Sequence, residues 1–380
     1  MHKKYSIVLI VLLLCIPFFI SCWDSQDINE KDLTTTVAVG KTNDDYEFVV
    51  EIANLAPISS SDEQASGTEN FTVVHAKGES YADARLNLDQ KLDKPIFLGT
   101  VRMLVLSDDM AKDGIEEYIY RLRNLHEYRK ALYIVTTSED LVELLETHKG
   151  KQTSAGHNIE AIISKLDESG KTIIHSASTA LEHLSRKYIC FLLPDVSLID
   201  DQIALTGYSI IKKGKLAGLI VIDETKGINF ILNDNVKYVY VVPFGEHNAT
   251  VEVALKKRKI KPTYKNKKIS FLADFSFEAA VKYLDINDGF GLAEQAIVYR
   301  NLKDQLDADI DFAIKASQQK YKCDYLEFDE FFRIKYPNEF KKMDWYEAYL
   351  DANVTVKTQL TVDPGGEYEY DPQTKWKNEE

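Results

Sequence analysis

The sequence predicts a mixed α/β or α+β fold, large enough for two or three domains behind an N-terminal signal peptide. The chain has 380 residues, and single domains commonly have about 100–200. Apolar strand patterns alternate with amphipathic helix patterns as far as Asp195. Beyond Leu192–Asp195 the pattern changes to hairpin-like strands, beginning with Ala204–Ile211 and Leu216–Ile222. These observations favour a helix–sheet first half and an antiparallel-rich second half.

The N-terminus has the features of a lipoprotein signal peptide, predicted over residues 1–21. A basic start precedes an apolar run from Ile7 to Ile20, which is shorter than the roughly 20 residues that span a bilayer as a helix. Ser21 and Cys22 then resemble the end of a bacterial lipobox, in which the Cys is diacylated and becomes the new N-terminus. Cys22 is therefore the predicted lipid-attachment residue. An ordinary cleaved signal and an uncleaved anchor are the alternatives.

The overall charge of the chain limits which partners it is expected to bind. The chain has 60 acidic and 46 basic residues, which argues against nucleic acid and against a basic patch for anionic lipid heads. One segment departs from this balance, because Lys256–Lys268 contains eight Lys or Arg. It is interpreted as a solvated strand edge, where Lys blocks unwanted pairing. Contact with phospholipid or with an acidic partner is the alternative.

Two cysteines remain if the signal is removed and Cys22 carries lipid. A disulfide between Cys190 and Cys323 is compatible with an exported protein, but two buried free thiols are the favoured interpretation. The cysteine spacing fits no metal site.

The sequence predicts no catalytic site, no metal and no cofactor. The sequence has no P-loop, Rossmann or Gly-x-Ser-x-Gly motif. Ser317 and Lys320 have the Ser-x-x-Lys spacing of penicillin-binding enzymes, but the companion Lys-Thr-Gly is missing. Ser317 is instead placed on the packing face of a long amphipathic helix, Asn301–Lys320.

Aromatic residues are concentrated between Phe328 and Tyr349. Most are expected to form core beneath the long helix. An exposed patch for a protein partner is the alternative.

These residues, in this order, resemble the Ger(x)C family of bacterial spore germination lipoproteins. The family's N-terminal pattern fits Cys22-Trp23-Asp24, and its second half fits Leu193-Pro194 followed by Gly207–Leu216. The C-terminal signature is the most specific and includes Gln319, Asp324, Phe328, Pro337 and Trp345. The sequence departs from the family pattern at Thr100, where His is frequent, and at Phe340, where Trp is common.

The resemblance implies a lipid-anchored, non-catalytic subunit of a membrane-bound nutrient germinant receptor. Its expected partners are the integral membrane A and B subunits, with membrane lipid held through the acylated N-terminus. Its expected location is the outer face of the cell membrane and, in the spore, the inner membrane. The signature residues would be structural or partner-contact residues. A solute-binding lipoprotein of a transporter is the alternative, and a cell-wall hydrolase is a second one.

The family fold also implies three mixed helix–sheet domains. Applied to this chain, it predicts an N-terminal domain over 22–195, an antiparallel-rich middle domain over 196–255 and a C-terminal domain over 256–370. Residues 371–380 form a predicted polar tail.

Overall fold

The computed structural model describes residues 28–42, 44–54, 70–124, 127–149, 151–186, 190–284, 291–363 and 369–370. The predicted signal peptide, Cys22 and the predicted tail therefore lie outside the described residues. Helices and strands alternate through the first half, as the mixed α/β prediction requires, and this prediction is confirmed. Among the described residues, no helix is long and apolar enough to cross a membrane.

The strands form two sheets. The first sheet contains β1 (Asp32–Thr42), β2 (Asp45–Ala53), β3 (Phe71–Gly78), β4 (Ile96–Phe97), β5 (Met103–Ser107), β6 (Tyr133–Thr137), β7 (Cys190–Ile199), β8 (Gln202–Lys212) and β9 (Lys215–Val221). The second contains β10 (Lys237–Phe244), β11 (His247–Lys265), β12 (Lys268–Leu284), β13 (Asn353–Asp363) and β14 (Glu369–Tyr370).

The helices lie between these strands. They are α1 (Tyr81–Asp89), α2 (Asp108–Asp113), α3 (Glu116–Asn124), α4 (Leu141–Glu146), α5 (Ala155–Glu168), α6 (Ala177–Leu184), α7 (Lys226–Leu232), α8 (Leu292–Lys315), α9 (Phe328–Lys335), α10 (Pro337–Phe340) and α11 (Trp345–Leu350). Short 3₁₀ turns span Ile28–Glu30, Leu98–Thr100 and Ile222–Glu224, and a π-helical turn at Ala316–Lys320 extends α8.

The first sheet has the strand order β3-β2-β1-β5-β6-β7-β8-β9, with β4 beside β1. Its centre is parallel, because β5 pairs in parallel with both β1 and β6. The residues Met103–Leu106 of β5 are completely buried, which fits a parallel strand covered on both faces. Helices α1, α2, α3 and α6 pack on one face of the sheet, and α4 and α5 pack on the other.

The second sheet is antiparallel from β10 to β12, and β13 joins β12 in parallel. Helix α8 packs across one face of this sheet. Its buried residues recur every three or four positions, at Val298, Leu302, Leu306, Ile310 and Ala313, which is the spacing of one helix face. The predicted long amphipathic helix is therefore present, and it begins earlier than Asn301.

The two halves share a core. Leu192, Tyr208 and Ile220 from β7–β9 lie in the same buried cluster as the interior of the second sheet. Cys190 at the start of β7 forms a disulfide with Cys323, with their Cα atoms 6.2 Å apart. The favoured interpretation of two free thiols is therefore wrong. Nothing local in the sequence indicates that two cysteines 133 residues apart meet, because only the packing of the two halves brings them together.

The predicted domain boundaries do not coincide with the ends of the two sheets. The boundary at 195/196 falls inside β7, and the boundary at 255/256 falls inside β11. Strands β8 and β9 continue the first sheet, because the chain after Asp195 folds back as a hairpin on β7 and does not start a new sheet.

Candidate functional site

Asp324 is the centre of the predicted C-terminal signature. One of its carboxylate oxygens accepts the backbone N–H of Phe328 at 3.1 Å. The other accepts the backbone N–H of Asp329 at 2.8 Å and the indole Nε1–H of Trp345 at 2.8 Å. The first two bonds cap the N-terminus of α9, where an acceptor is favoured, and the third ties that cap to α11. Asp324 therefore links α9 to α11, two helices that are separated in the sequence by α10.

Three carboxyl groups lie at or beside this cap, of which Asp324 is buried and Glu327 and Asp329 are half-buried. Burial and the negative charge of Asp329 raise the pKa of Asp324 to about 8, against the opposing effect of the three N–H donors. Burial likewise raises the pKa of Glu327 to about 7 and that of Asp329 to about 6. The pKa values rise because charged carboxylates lose hydration on burial.

Trp345 and Phe328 lie inside the core and not on the surface. Trp345 is 1% exposed and Phe328 is completely buried. The ring of Trp345 has its centroid 5.3 Å from Phe332, 5.3 Å from Phe340 and 6.0 Å from Tyr349. This geometry is typical of stabilising aromatic pairs. The predicted aromatic concentration is therefore mainly a packed cluster beneath the end of α8.

The Ser317 hydroxyl takes part in two hydrogen bonds inside the core. Its Oγ donates to the Cys323 carbonyl oxygen at 2.7 Å and lies 2.8 Å from the Tyr349 hydroxyl. Its side chain is completely buried. The Ser-x-x-Lys spacing therefore reflects a packed helix end.

The other two signature residues, Gln319 and Pro337, do not converge on Asp324. Both are exposed. The neighbouring Gln318, which the sequence analysis did not single out, donates its Nε2 to the carbonyl oxygens of Tyr349 and Ala352 at 2.9 and 2.8 Å. The π-helical turn at Ala316–Lys320 changes which side chains face inward, and a regular helical period could not reveal that change.

A charged contact joins the end of α6 to α9. The Arg186 guanidinium lies 3.0 Å from the carboxylate of Glu330 and 3.0 Å from that of Glu182. His183 is buried nearby, with Nε2 3.9 Å from Glu327, and burial lowers the pKa of His183 to about 4. In the part of the chain that the structure describes, no group of three or more His, Cys, Asp or Glu side chains is arranged to hold a metal ion.

A separate crevice of about 290 Å³ opens at the carboxyl ends of β1, β5 and β6. Helix α2 leaves β5 toward one face of the sheet and α4 leaves β6 toward the other, so the crevice lies at a switch point, where open α/β sheets commonly bind ligands. Its charged lining residues include Lys41, Lys112, Asp108, Glu139 and Asp140. Several of these groups already have protein partners. Lys41 pairs with Asp113 at 2.6 Å, and Asp140 accepts backbone N–H groups at the start of α4.

The comparison with known families covers nearly all of the described chain. The model of the spore germination protein N-terminal domain matches residues 24–198. The C-terminal model for spore germination B3/GerAC-like proteins matches residues 206–366. This chain belongs to the GerAC-like family of spore germination proteins. The resemblance based on the sequence motifs is therefore confirmed.

Individual proteins of this family are distant in sequence and similar in extent. Spore germination protein B3 of Bacillus subtilis (strain 168) is 23% identical over 364 residues, which cover 92% of this chain and 94% of that protein. Spore germination protein YndF of the same strain is 22% identical over 400 residues, covering 94% of this chain and 95% of that protein.

The crystal structure of the GerBC protein matches this GerAC-like chain with a TM-score of 0.53 at 17% identity. The match covers 86% of this chain and 96% of the GerBC chain. The two proteins therefore share a mixed helix–sheet fold, and the match extends over both sheets.

Proposed function

We propose that this protein is a lipid-anchored, non-catalytic subunit of a membrane-bound nutrient germinant receptor, required for spore germination. The observation that carries the proposal is that family models of spore germination proteins match both halves of the chain, over 24–198 and 206–366. The lipobox-like Ser21-Cys22 supports attachment to the outer face of the cell membrane and, in the spore, to the inner membrane. The partners would be the integral membrane A and B subunits of the receptor.

A structural role fits Ser317, whose spacing to Lys320 resembled a catalytic motif, and also the signature residue Asp324. The Ser317 hydroxyl contacts a backbone carbonyl and a tyrosine, and the Asp324 carboxyl is occupied by three N–H donors. Both groups hold the aromatic cluster to the end of α8. Neither has the free nucleophile–base geometry that acyl transfer needs.

Receptor membership is tested by recovering the native complex from membranes through a tag on this chain. We expect two integral membrane proteins to co-purify with it. Co-purification of transporter subunits in their place would contradict the proposal and favour the solute-binding alternative.

The anchor is tested by labelling cells with a palmitate analogue. Cys22→Ala should abolish labelling and release the protein from the membrane. Cys15→Ala is the matched control, because Cys15 lies inside the predicted signal and should not affect labelling. Equal labelling of wild type and Cys22→Ala would exclude Cys22 as the lipid site.

A further inference from the structure

The outer part of the β11–β12 hairpin carries a concentration of positive charge on an acidic protein. We define the basic face as six exposed lysines on the outer surface of β11, β12 and β13, namely Lys257, Lys259, Lys261, Lys265, Lys268 and Lys357. The hairpin closes through Asn266 and Lys267, with φ values of 51° and 60°. Both residues at positive φ are typical of the tight hairpin turn that keeps long strands in register.

The two-residue period of a strand explains why these lysines share one face. Ile260 and Pro262 alternate with them on β11 and are buried. On that inner side, the Tyr264 ring lies 5.8 Å from Phe332 of α9, and Lys335 donates to the Pro262 carbonyl oxygen at 2.7 Å. The inner side is therefore packed against α9, and the lysines are directed away from the core.

The charge of the basic face is not neutralised by ion pairs. Lys256, at the bulge where this segment starts, pairs with Glu278. Among the described residues, none of the six lysines of the basic face has a carboxylate within 4.0 Å. The one acidic residue among them is Asp274, which stands opposite Lys259 on β11 and Lys357 on β13. The positive potential of this face therefore extends into solvent.

The composition of the basic face favours contact with a charged membrane surface over contact with a protein partner. Protein interfaces are depleted of Lys and depend on buried aromatic or Arg anchors. The remaining outward side chains of the face are mostly small or polar, such as Thr263, Ser270 and Thr355, and the large apolar one among the described residues there, Leu272, is half-buried. A sheet surface bearing unpaired lysines matches the anionic headgroups of a bilayer. This observation favours the phospholipid alternative for the basic segment Lys256–Lys268 over the interpretation as a solvated strand edge.

We propose that the basic face lies against anionic phospholipid headgroups and orients the protein on the membrane. This inference rests on the proposed membrane anchoring, since a tethered chain keeps the face close to a bilayer. Its test does not need the lipid on Cys22 or the receptor subunits, so its failure can be told apart from failure of the proposed function.

The experiment measures co-sedimentation of the chain from Trp23 onward, which retains every residue that the structure describes. One set of vesicles is pure phosphatidylcholine, and the other contains about 30% phosphatidylglycerol. We expect binding only to the anionic vesicles, and we expect it to be lost when salt rises from about 0.1 M to about 0.5 M. Equal binding to both vesicle types would overturn the proposal.

The decisive variant is Lys257→Gln/Lys259→Gln/Lys261→Gln. We expect about a hundredfold weaker partitioning, because each of the three lysines near an anionic surface contributes roughly a fivefold factor. The matched control, Lys130→Gln/Lys151→Gln/Lys342→Gln, removes the same charge from exposed lysines elsewhere and should bind as wild type. Thermal unfolding of both variants verifies that they fold.

Two outcomes would refute the assignment. If test and control variants lose vesicle binding equally, the effect is one of net charge and not of this face. If the test variant binds vesicles normally but no longer co-purifies with the membrane subunits, the face contacts an acidic protein segment and not lipid.

Discussion

Glu51 in the first half of the molecule and Asp324 in the second are buried carboxylates with the same structural task. Glu51 is completely buried and accepts the backbone N–H of Ala155 at 2.7 Å, at the start of α5. Asp324 is 7% exposed and accepts N–H groups at the start of α9. Each places a negative or polar group at a helix N-terminus, which satisfies donors that the helix cannot use.

The two carboxylates differ in their remaining partners. Glu51 is held by the hydroxyls of Thr35 at 3.0 Å and Thr36 at 2.6 Å, both on the neighbouring strand β1. Asp324 is held by the Trp345 indole and lies beside the acidic Asp329, which helps to raise its pKa. The first carboxylate therefore fastens a helix to a rigid sheet. The second fastens two helices through an aromatic ring and responds to pH.

The largest loss of stability is expected at Trp345, the aromatic partner of Asp324. Trp345→Ala should lower the free energy of unfolding by about 3–5 kcal/mol, because it removes a buried aromatic and leaves a cavity. Trp345→Phe is the control and should cost less, since it keeps an aromatic ring while it loses the indole donor to Asp324, at about 1–2 kcal/mol, and only part of the buried volume. Urea unfolding measures both. An unchanged unfolding midpoint for Trp345→Ala would show that the packing around the indole does not stabilise the fold.

A smaller effect is expected when each carboxylate becomes an amide. Glu51→Gln should cost about 1–3 kcal/mol, because its new NH₂ group faces hydroxyl and N–H donors in a buried site. Asp324→Asn should cost less at pH 6, where the neutral carboxyl that it resembles is already the favoured form. Glu146→Gln, at an exposed position of α4, controls for removal of an acid. Equal losses for Glu51→Gln and Asp324→Asn at pH 6 would remove the distinction between the two sites.

The pH dependence sharpens the same distinction. The pKa of Asp324 is raised to about 8 in the folded protein, above the value of about 3.9 in an unfolded chain. The stability that comes from the neutral carboxyl is therefore complete below about pH 4 and is lost as the pH rises toward 8, by roughly 1 kcal/mol per pH unit at most. Glu327 and Asp329 contribute with the same sign, because their pKa values are also raised.

Unfolding of wild type and Asp324→Asn between pH 5 and pH 9 measures this contribution. Wild-type stability should fall with rising pH more steeply than that of the variant, since the amide does not titrate. Parallel slopes for wild type and Asp324→Asn would show that Asp324 keeps one protonation state throughout this range.

The sequence was informative wherever structure depends on local pattern. The hairpin around Lys212–Lys215 and the long amphipathic helix that includes Asn301–Lys315 were both predicted close to their observed places. Each is specified by the period or the turn chemistry of a few adjacent residues. The buried position of Glu51 had a local signal too, because Glu51 interrupts the apolar run from Phe48 to Ala53.

Contacts between distant segments could not be predicted in the same way. The bond between Cys190 and Cys323, and the contact of Asp324 with Trp345, depend on how the two sheets and α8 are assembled. Periodicity states which face of an element is buried but not which element covers it. The family signature grouped Asp324, Phe328 and Trp345, which do meet, with Gln319 and Pro337, which lie on the surface.

The smallest effect on stability is expected at Gln319, an exposed signature residue. Gln319→Ala should change the free energy of unfolding by less than about 0.5 kcal/mol, since surface substitutions without a structural partner rarely do more. Gln318→Ala is the contrast, because it removes donors from two backbone carbonyl oxygens and should cost about 1–2 kcal/mol. We expect Gln319→Ala to reduce recovery of the membrane subunits while the melting temperature stays at the wild-type value, as for a partner-contact residue. Full recovery with unchanged stability would leave Gln319 with neither role and would confine the functional part of the signature to the buried cluster around Asp324.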